Sequence, residues 1–285
     1  MKSQYKRFTR SRIGNIFYFL ILLLAGLFTI LPMIYSILTS FKPLDELMIF
    51  PPRFFVVRPT LANYSVLPKL ISNLTVPLSR YIFNSLFVSV VTTALHVIIA
   101  AMASFVISKT KLKYMGALFL VIQFSLLYNS YTLAIPQYVI FSNLRIINTY
   151  WVYMLPYLPS ALGVFLMKQY MDISIPVSLL EAAHIDGAGH FRVFWQIVMP
   201  IVKPAWLTLT LFAFRDMWSL QPQGTIFSER LKTLPYAMSQ VMNGGIARAG
   251  SAMAATVLLM IPPIVVYIIS QSNVMETMSS AGIKD

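Results

Sequence analysis

Few residues in this sequence could do acid–base, nucleophilic or metal chemistry, and those few are widely separated. The 285 residues include nine Asp and Glu residues, three histidines and no cysteine. The lack of cysteine excludes disulfides, thiol catalysis and metal sites with cysteine ligands. His96 lies far along the chain from His184 and His190, and no Ser/His/Asp grouping is evident. We therefore predict neither a catalytic site nor a metal site.

The most informative stretch is residues 174–204, which read SIPVSLLEAAHIDGAGHFRVFWQIVMPIVKP. Pro176 suits the first turn of a helix, while Ser178 and Glu181 have the spacing of a capping box and offer a second possible start. Gly187 and Gly189 can break a helix or turn it sharply. The stretch therefore predicts two short helices joined by a turn.

Both of these helices are expected to be amphipathic. The first has an apolar side formed by Leu179, Leu180 and Ala183, with Ile185 as a further candidate. The second has large apolar residues at helical spacing, namely Phe191, Phe194, Trp195 and Val198. An amphipathic element of this kind can seat in a groove on a soluble partner.

The elements that must position this stretch are membrane helices. Of the chain, 58% is hydrophobic and 11% charged, whereas soluble domains carry about a quarter charged residues. We predict an all-α integral membrane protein, a single domain over residues 1–285, with a loop at 174–200. Its six membrane spans are expected at about residues 13–38, 82–107, 116–138, 150–167, 201–220 and 252–270.

Basic residues indicate the orientation of these spans. Residues 1–12 hold five Lys and Arg residues, and Lys109, Lys111 and Lys113 follow the second span closely. Short basic segments stay on the cytoplasmic side, so we expect both termini and the 174–200 loop to be cytoplasmic. The same rule accounts for the formal charge of +13, which therefore gives no reason to expect a nucleic-acid partner.

The 174–204 stretch resembles the EAA loop of binding-protein-dependent ABC importer permeases. The matching residues are Glu181-Ala182-Ala183, then Gly187, then Ile197-x-Met199-Pro200, where Met199 replaces the leucine of the family pattern. The fuller run EAAHIDGAG is similar to the sugar-uptake branch, the MalG-like permeases. Within that branch it looks nearest to the LplC/YtcP type, which is associated with complex polysaccharide fragments.

The resemblance extends over nearly the whole chain. Further matching segments are Arg58-Pro59-Thr60-Leu61-Ala62-Asn63-Tyr64, Phe83-Asn84-Ser85-Leu86, Asn148-Thr149-Tyr150-Trp151 and Ala281-Gly282-Ile283-Lys284. The resemblance implies a type I ABC importer permease with six transmembrane helices in a bacterial plasma membrane. It also implies that the ATPase-coupling residues are Glu181, Ala182, Ala183, Asp186, Gly187 and Ala188.

The partners follow from the same resemblance and from one missing motif. No GxxxxGK[ST] phosphate loop occurs, so the chain is not expected to be an enzyme or to bind a cofactor, and ATP and Mg would sit in a partner ATPase. The implied assembly has a second homologous permease, two ATPase subunits and an external solute-binding lipoprotein. It would import a sugar or oligosaccharide by alternating access, with a polysaccharide fragment as one candidate cargo.

Candidate substrate-path residues are Tyr128, Asn129, Tyr131, Arg215, Asp216 and Trp218. Arg215 could hydrogen-bond a sugar while Trp218 stacks on the sugar ring. Alternatively, Arg215 and Asp216 could lie at the outer interface of the membrane. The tyrosines and Asn129 could equally bond between helices. Three other functions stay open: an ABC permease for a non-sugar solute, a stand-alone secondary transporter, and a membrane-embedded enzyme.

Overall fold

The computed structural model describes residues 12–72, 76–110, 113–128, 132–222 and 224–282, without the side chains of residues 12, 13, 72, 246 and 272–282. Across these ranges the chain is helical and contains no β-strand. The α-helices are α1 (Arg12–Ser40), α2 (Leu44–Leu47), α3 (Ala62–Ser72), α4 (Leu78–Lys109), α5 (Met115–Ser125), α6 (Ala134–Asn143), α7 (Trp151–Met154), α8 (Ala161–Ser174), α9 (Val177–Ile185), α10 (His190–Val193), α11 (Met199–Ile201), α12 (Lys203–Trp218), α13 (Leu234–Met242) and α14 (Ala249–Gly282). A π-helical turn covers Phe194–Val198, and 3₁₀ turns cover Glu229–Leu231 and Ile246–Arg248.

The chain forms two compact units, residues 1–67 with 241–258 and residues 68–240 with 259–285. In the first unit, the end of α1 is held by Asn63, whose amide nitrogen donates to the carbonyls of Ser40 and Lys42, both at 2.8 Å. The Tyr64 hydroxyl lies 2.8 Å from the Ser40 hydroxyl. A Cβ built on Gly250 would lie 2.5 Å from Oδ1 of Asn63, so this amide is closely packed. The Asn63-Tyr64 motif therefore satisfies carbonyls that a helix end leaves unpaired.

In the second unit, α4 packs against α8 and α12. Gly163 of α8 is the point of close approach, because an added Cβ would lie 3.1 Å from both Ala100 Cβ and Leu209 Cδ2. The buried core of the three helices continues into the 174–200 loop through Leu180, Ala183, Val193, Phe194 and Val198. The loop is thus part of the same packed body as the helices that precede and follow it.

At the other end of α4, a second set of polar side chains holds residues 225–234, called here the clamped segment. Asn84 donates to the carbonyls of Arg230 and Lys232, both at 2.8 Å, and accepts a hydrogen bond of 2.6 Å from the Tyr150 hydroxyl. Asn84 has no exposed surface. Its amide therefore satisfies three other polar groups away from solvent.

Two further side chains complete the clamped segment. Ser85 accepts a 2.7 Å hydrogen bond from the backbone N–H of Leu234. Asn148, at a φ of 62°, accepts hydrogen bonds from the backbone N–H groups of Phe227 and Ser228, at 3.1 and 2.8 Å. Asparagine tolerates this left-handed conformation better than most residues. The FNSL and NTYW motifs are therefore intramolecular clamps on one segment.

Three helices of the described residues are each long and apolar enough to cross a bilayer: Gly14–Ser40, Leu78–Lys109 and Ala249–Gln271. The predicted segments 13–38, 82–107 and 252–270 fall within α1, α4 and α14. The predicted segment 201–220 falls largely on α12, which joins the preceding helix His190–Ile201 at a bend of 80°, and the two together could form a fourth span.

The other two predicted segments are not continuous helices. Residues 116–138 divide between α5 and α6, and residues 150–167 divide between α7 and α8. In the latter, Pro156 and Pro159 lack backbone donors, and Ser160 starts α8 by accepting a 2.7 Å hydrogen bond from the Gly163 N–H. A new helix therefore begins after Ser160, within a predicted span that is apolar by composition.

Candidate functional site

The 174–200 loop is anchored where it leaves α8. The Lys109 ammonium, at the end of α4, donates a 2.7 Å hydrogen bond to the carbonyl of Ile175. The first loop helix, α9, then begins at Val177 after Pro176, and no side chain caps it. The alternative start with a Ser178–Glu181 capping box is therefore not formed. The entry to the loop is held by a charged hydrogen bond from a neighbouring helix.

The turn between the loop helices is a Schellman motif centred on Gly187. Gly187 has a φ of +78°, its N–H donates to the His184 carbonyl at 3.0 Å, and the Ala188 N–H donates to the Ala183 carbonyl at 2.9 Å. This pair of bonds ends many helices, with glycine at the left-handed position because it has no Cβ. The predicted turn at Gly187 thus has a specific conformational cause.

The coupling residues implied by the family resemblance divide between two faces. Ala183 is 7% exposed and packs into the core, and Ala188 also packs against that core. Glu181, Ala182 and Asp186 are exposed. Among the described residues Glu181 has no hydrogen-bond or ion-pair partner. The outward face therefore offers a free carboxylate beside a small side chain.

The first loop helix buries Leu180 and Ala183 as predicted, whereas Ile185 and part of the second loop helix differ from the prediction. Ile185 is 86% exposed and Phe191 72% exposed, and Trp195 is also exposed, whereas Val193, Phe194 and Val198 are buried. In the second loop helix the π-helical turn at Phe194–Val198 is the reason, because its wider repeat brings Val193 and Val198, five positions apart, onto one side. The assumption of uninterrupted α-helical spacing therefore misassigned Phe191 and Trp195.

The two loop histidines meet across the Gly187 turn. His184 Nε2 lies 3.2 Å from His190 Nδ1, while His184 Nδ1 lies 2.7 Å from the Leu180 carbonyl oxygen. The carbonyl can only accept, so Nδ1 of His184 carries a proton and its Nε2 is free to accept from His190 when both rings are neutral. In the described part of the chain no cluster of three or more potential metal ligands includes this pair.

The predicted substrate-path residues do not form one cluster. Asn129 and Tyr131 lie outside the described residues, and Tyr128 is exposed. Trp218 is 4% exposed, stacks on Phe214 and donates a 2.9 Å hydrogen bond to the Leu259 carbonyl. That packing leaves its ring no open face for a sugar.

Arg215 and Asp216 are exposed, with Arg215 Nε 3.7 Å from Asp216 Oδ1. The Tyr157 hydroxyl donates to Asp216 at 2.9 Å, and the Tyr157 carbonyl oxygen lies 2.7 Å from His96 Nδ1. Sequence reasoning missed Tyr157, which links the buried His96 of α4 to the exposed carboxylate of α12. No pattern in the sequence connects these three positions.

Comparisons with known proteins identify relatives that are permease proteins of transport systems. No family model matches the chain. It is 31% identical over 268 residues to the sulfoquinovosyl glycerol transport system permease protein SmoH of Agrobacterium fabrum. That alignment covers 93% of this chain and 91% of SmoH. It is 25% identical to the Bacillus subtilis permease protein AraQ of the arabinooligosaccharides transport system, over 98% of both chains.

A second Bacillus subtilis relative, the polygalacturonan/rhamnogalacturonan transport system permease protein YtcP, is 25% identical over 90% of this chain and 93% of that protein. Among solved structures, a chain of a bacterial ABC transporter involved in the import of the acidic polysaccharide alginate superposes with a TM-score of 0.76 at 21% identity. The superposition covers 92% of this chain and 98% of that one. The chain belongs to the ABC transporter permease proteins, in the group that serves carbohydrate transport systems.

Proposed function

We propose that this chain is one of two homologous permease subunits of an ATP-driven importer that moves a sugar or oligosaccharide into a bacterial cytoplasm. The observation that carries this proposal is the near full-length relation to permeases from several different carbohydrate transport systems. These systems differ in cargo, so the relation supports carbohydrate as a class and leaves the individual sugar open. The relatives are transport subunits, and ATP and Mg are bound by a separate ATPase subunit.

The proposed architecture has six spans with both termini in the cytoplasm. Helices α1, α4 and α14 supply three spans, and α12, which follows the 174–200 loop after a sharp bend, supplies another. The remaining two are the interrupted pairs α5–α6 and α7–α8. Interrupted helices are tolerated at membrane depth where their free backbone groups face protein or a water-filled cavity.

The 174–200 loop is proposed to dock in a cleft of the ATPase. Glu181 can accept charge-assisted hydrogen bonds, Ala182 permits close approach, and Ile185 and Phe191 supply apolar area. The inner sides of the loop helices pack into the core of α4, α8 and α12, so a displacement of the loop would carry those helices with it. ATP-driven closure of two ATPase subunits would then rock the spans between inward-open and outward-open states.

The proposal is tested by purifying the tagged chain from its native membranes in mild detergent and identifying its partners by mass spectrometry. We expect a second permease and an ATPase with a GxxxxGK[ST] loop, together with a solute-binding lipoprotein. The complex, reconstituted with that lipoprotein, should take up a carbohydrate only with hydrolysable ATP. A chain that purifies alone, while a control ABC importer stays intact in the same detergent, would contradict the proposal.

A further inference from the structure

A cavity of about 330 Å³ lies between α6, α7 and the chain that follows α12. This volume is at the lower end of the range of roughly 300–1,000 Å³ that small-molecule sites occupy. Six of its lining side chains carry a polar group: Gln137, Tyr138, Tyr153, Tyr157, Gln221 and Thr225. The rest of the wall is apolar. The cavity therefore combines aromatic faces with hydrogen-bonding groups in a volume suited to one small ring.

The polar groups of the wall divide into those already paired and those left free. The Tyr153 hydroxyl donates to the Leu231 carbonyl at 3.3 Å and the Tyr157 hydroxyl to Asp216 at 2.9 Å, so both rings are fixed in place. Within the described ranges, the carboxamides of Gln137 and Gln221 and the Tyr138 hydroxyl have no protein partner. Each carboxamide offers two donors and one acceptor oxygen, the complement of adjacent hydroxyl groups.

The wall is also electrically neutral. None of its lining side chains is charged, and the Asp216 carboxylate that Tyr157 contacts has Arg215 3.7 Å away. The cavity is open to solvent on the side of Tyr138 and Gln221. An ionised group that entered it would lose part of its hydration and gain no counter-ion from the wall. An uncharged polyol would exchange water for amide hydrogen bonds and place its C–H face on a tyrosine ring.

We propose that this cavity is a contact site for a neutral sugar ring of the cargo, held by the carboxamides of Gln137 and Gln221 against the rings of Tyr138 and Tyr157. The inference rests on the carbohydrate cargo proposed above. It assigns cargo contact to this subunit at positions that do not include Tyr128, Arg215, Asp216 or Trp218. It also predicts a preference for uncharged rings over uronates at this point of the path.

The lack of cysteine in the chain allows a direct test. Single-cysteine variants Gln137→Cys and Gln221→Cys, with Ser142→Cys as the control on an exposed, non-lining position of α6, are assembled into the complete importer in lipid nanodiscs. A small maleimide is applied during ATP-driven turnover with arabino- or galacto-oligosaccharide, or with oligogalacturonate, and labelling of this chain is followed by mass spectrometry. The neutral sugars should slow labelling of the two cavity cysteines and leave the Ser142→Cys rate unchanged.

A second measurement uses the transport kinetics of otherwise unlabelled variants. Loss of one hydrogen bond of about 1 kcal/mol in Gln137→Leu should raise the half-saturating concentration of the neutral sugar about fivefold. Ser142→Ala should not change it.

The outcomes separate the two proposals. A complex that transports neutral oligosaccharides without protecting either cavity cysteine, and with Gln137→Leu unchanged, overturns the cavity assignment and leaves the carbohydrate function in place. Protection by oligogalacturonate alone overturns the neutral-ring assignment. A complete complex with its solute-binding lipoprotein that transports no carbohydrate, neutral or acidic, overturns the proposed function and the cavity assignment together.

Discussion

The 174–200 loop and the clamped segment at residues 225–234 are both irregular connections near helix ends, yet their side chains are used in opposite ways. The backbone of the clamped segment is bound by Asn84, Ser85 and Asn148, which lie in other parts of the same chain. In the loop, Glu181 has no partner among the described residues, and Ile185 and Phe191 are exposed. One set of motif residues thus stabilises the chain itself, and the other leaves binding capacity unused in the isolated chain.

This difference predicts two classes of mutant. Substitutions in the clamps should lower the stability of the isolated chain, and transport should fall as a consequence. Substitutions on the outer face of the loop should leave stability unchanged and affect transport alone. The variants below run from the largest expected loss of stability to the smallest.

Asn84→Leu should be the most damaging, with a loss of about 3 kcal/mol or more. The substitution removes three hydrogen bonds, to the carbonyls of Arg230 and Lys232 and from the Tyr150 hydroxyl. Each such bond contributes about 1 kcal/mol. The Arg230 carbonyl and the Tyr150 hydroxyl then keep only their bonds from Arg80. Thermal unfolding in detergent measures the loss, with Asn143→Leu at an exposed position of α6 as the control. Equal stability of the two variants would show that the clamp contributes little.

Lys109→Met should cost about 2 kcal/mol, in the range measured for hydrogen bonds to charged groups. It removes the bond to the Ile175 carbonyl and frees the start of the loop. Limited proteolysis should therefore cut near residues 175–177 faster in this variant. Lys113→Met, which removes an exposed ammonium, is the matched control and should match the wild type. Unchanged proteolysis in Lys109→Met would mean that packing alone holds the loop.

Gly187→Val should cost about 1–2 kcal/mol, the strain of a left-handed conformation for a residue with a Cβ. An added Cβ meets no atom within 4 Å, so the cost comes from the φ of +78° and not from crowding. Gly187→Asn should restore most of the stability because asparagine tolerates this conformation. Gly189→Ala, at a φ of −68°, carries no such strain and should lose less stability than Gly187→Val. Equal unfolding temperatures for the Val and Asn variants would contradict this account.

How far the sequence predicts the structure can be judged from the same positions. The turn at Gly187 follows from a glycine after an amphipathic run, and α1, α4 and α14 follow from long apolar runs. The break between α7 and α8 within residues 150–167 could have been predicted from Pro156, Pro159 and Ser160, but the apolar composition of the run favoured one continuous span. The π-helical turn at Phe194–Val198 had none, because it depends on how the loop packs against α4 and α12.

The candidate sites show the same limit. The EAA spacing predicts a coupling role for the loop, which stays a prediction, and it did not separate the buried Ala183 from the exposed Ala182. The clamp residues Asn84, Ser85 and Asn148 were found only as parts of family motifs, because their partners lie 66–149 positions away along the chain. Gln137 and Gln221 gave no signal, because a lone glutamine in an apolar run has no spacing to recognise.

Glu181→Lys should leave the unfolding temperature unchanged, within the roughly ±0.5 kcal/mol of ordinary surface substitutions. The carboxylate has no partner to lose within the described residues. If it accepts hydrogen bonds from an ATPase, reversing its charge places an ammonium against those donors, so ATP hydrolysis should persist while uptake falls. Glu181→Gln keeps the size and the acceptor oxygen and should retain more uptake than Glu181→Lys.

Uptake and ATP hydrolysis are measured on the same reconstituted samples, and the ratio of uptake to hydrolysis decides the outcome. Full uptake in Glu181→Lys would exclude this face as the coupling surface, whereas an unstable variant would place Glu181 among the clamps and erase the contrast between the two regions.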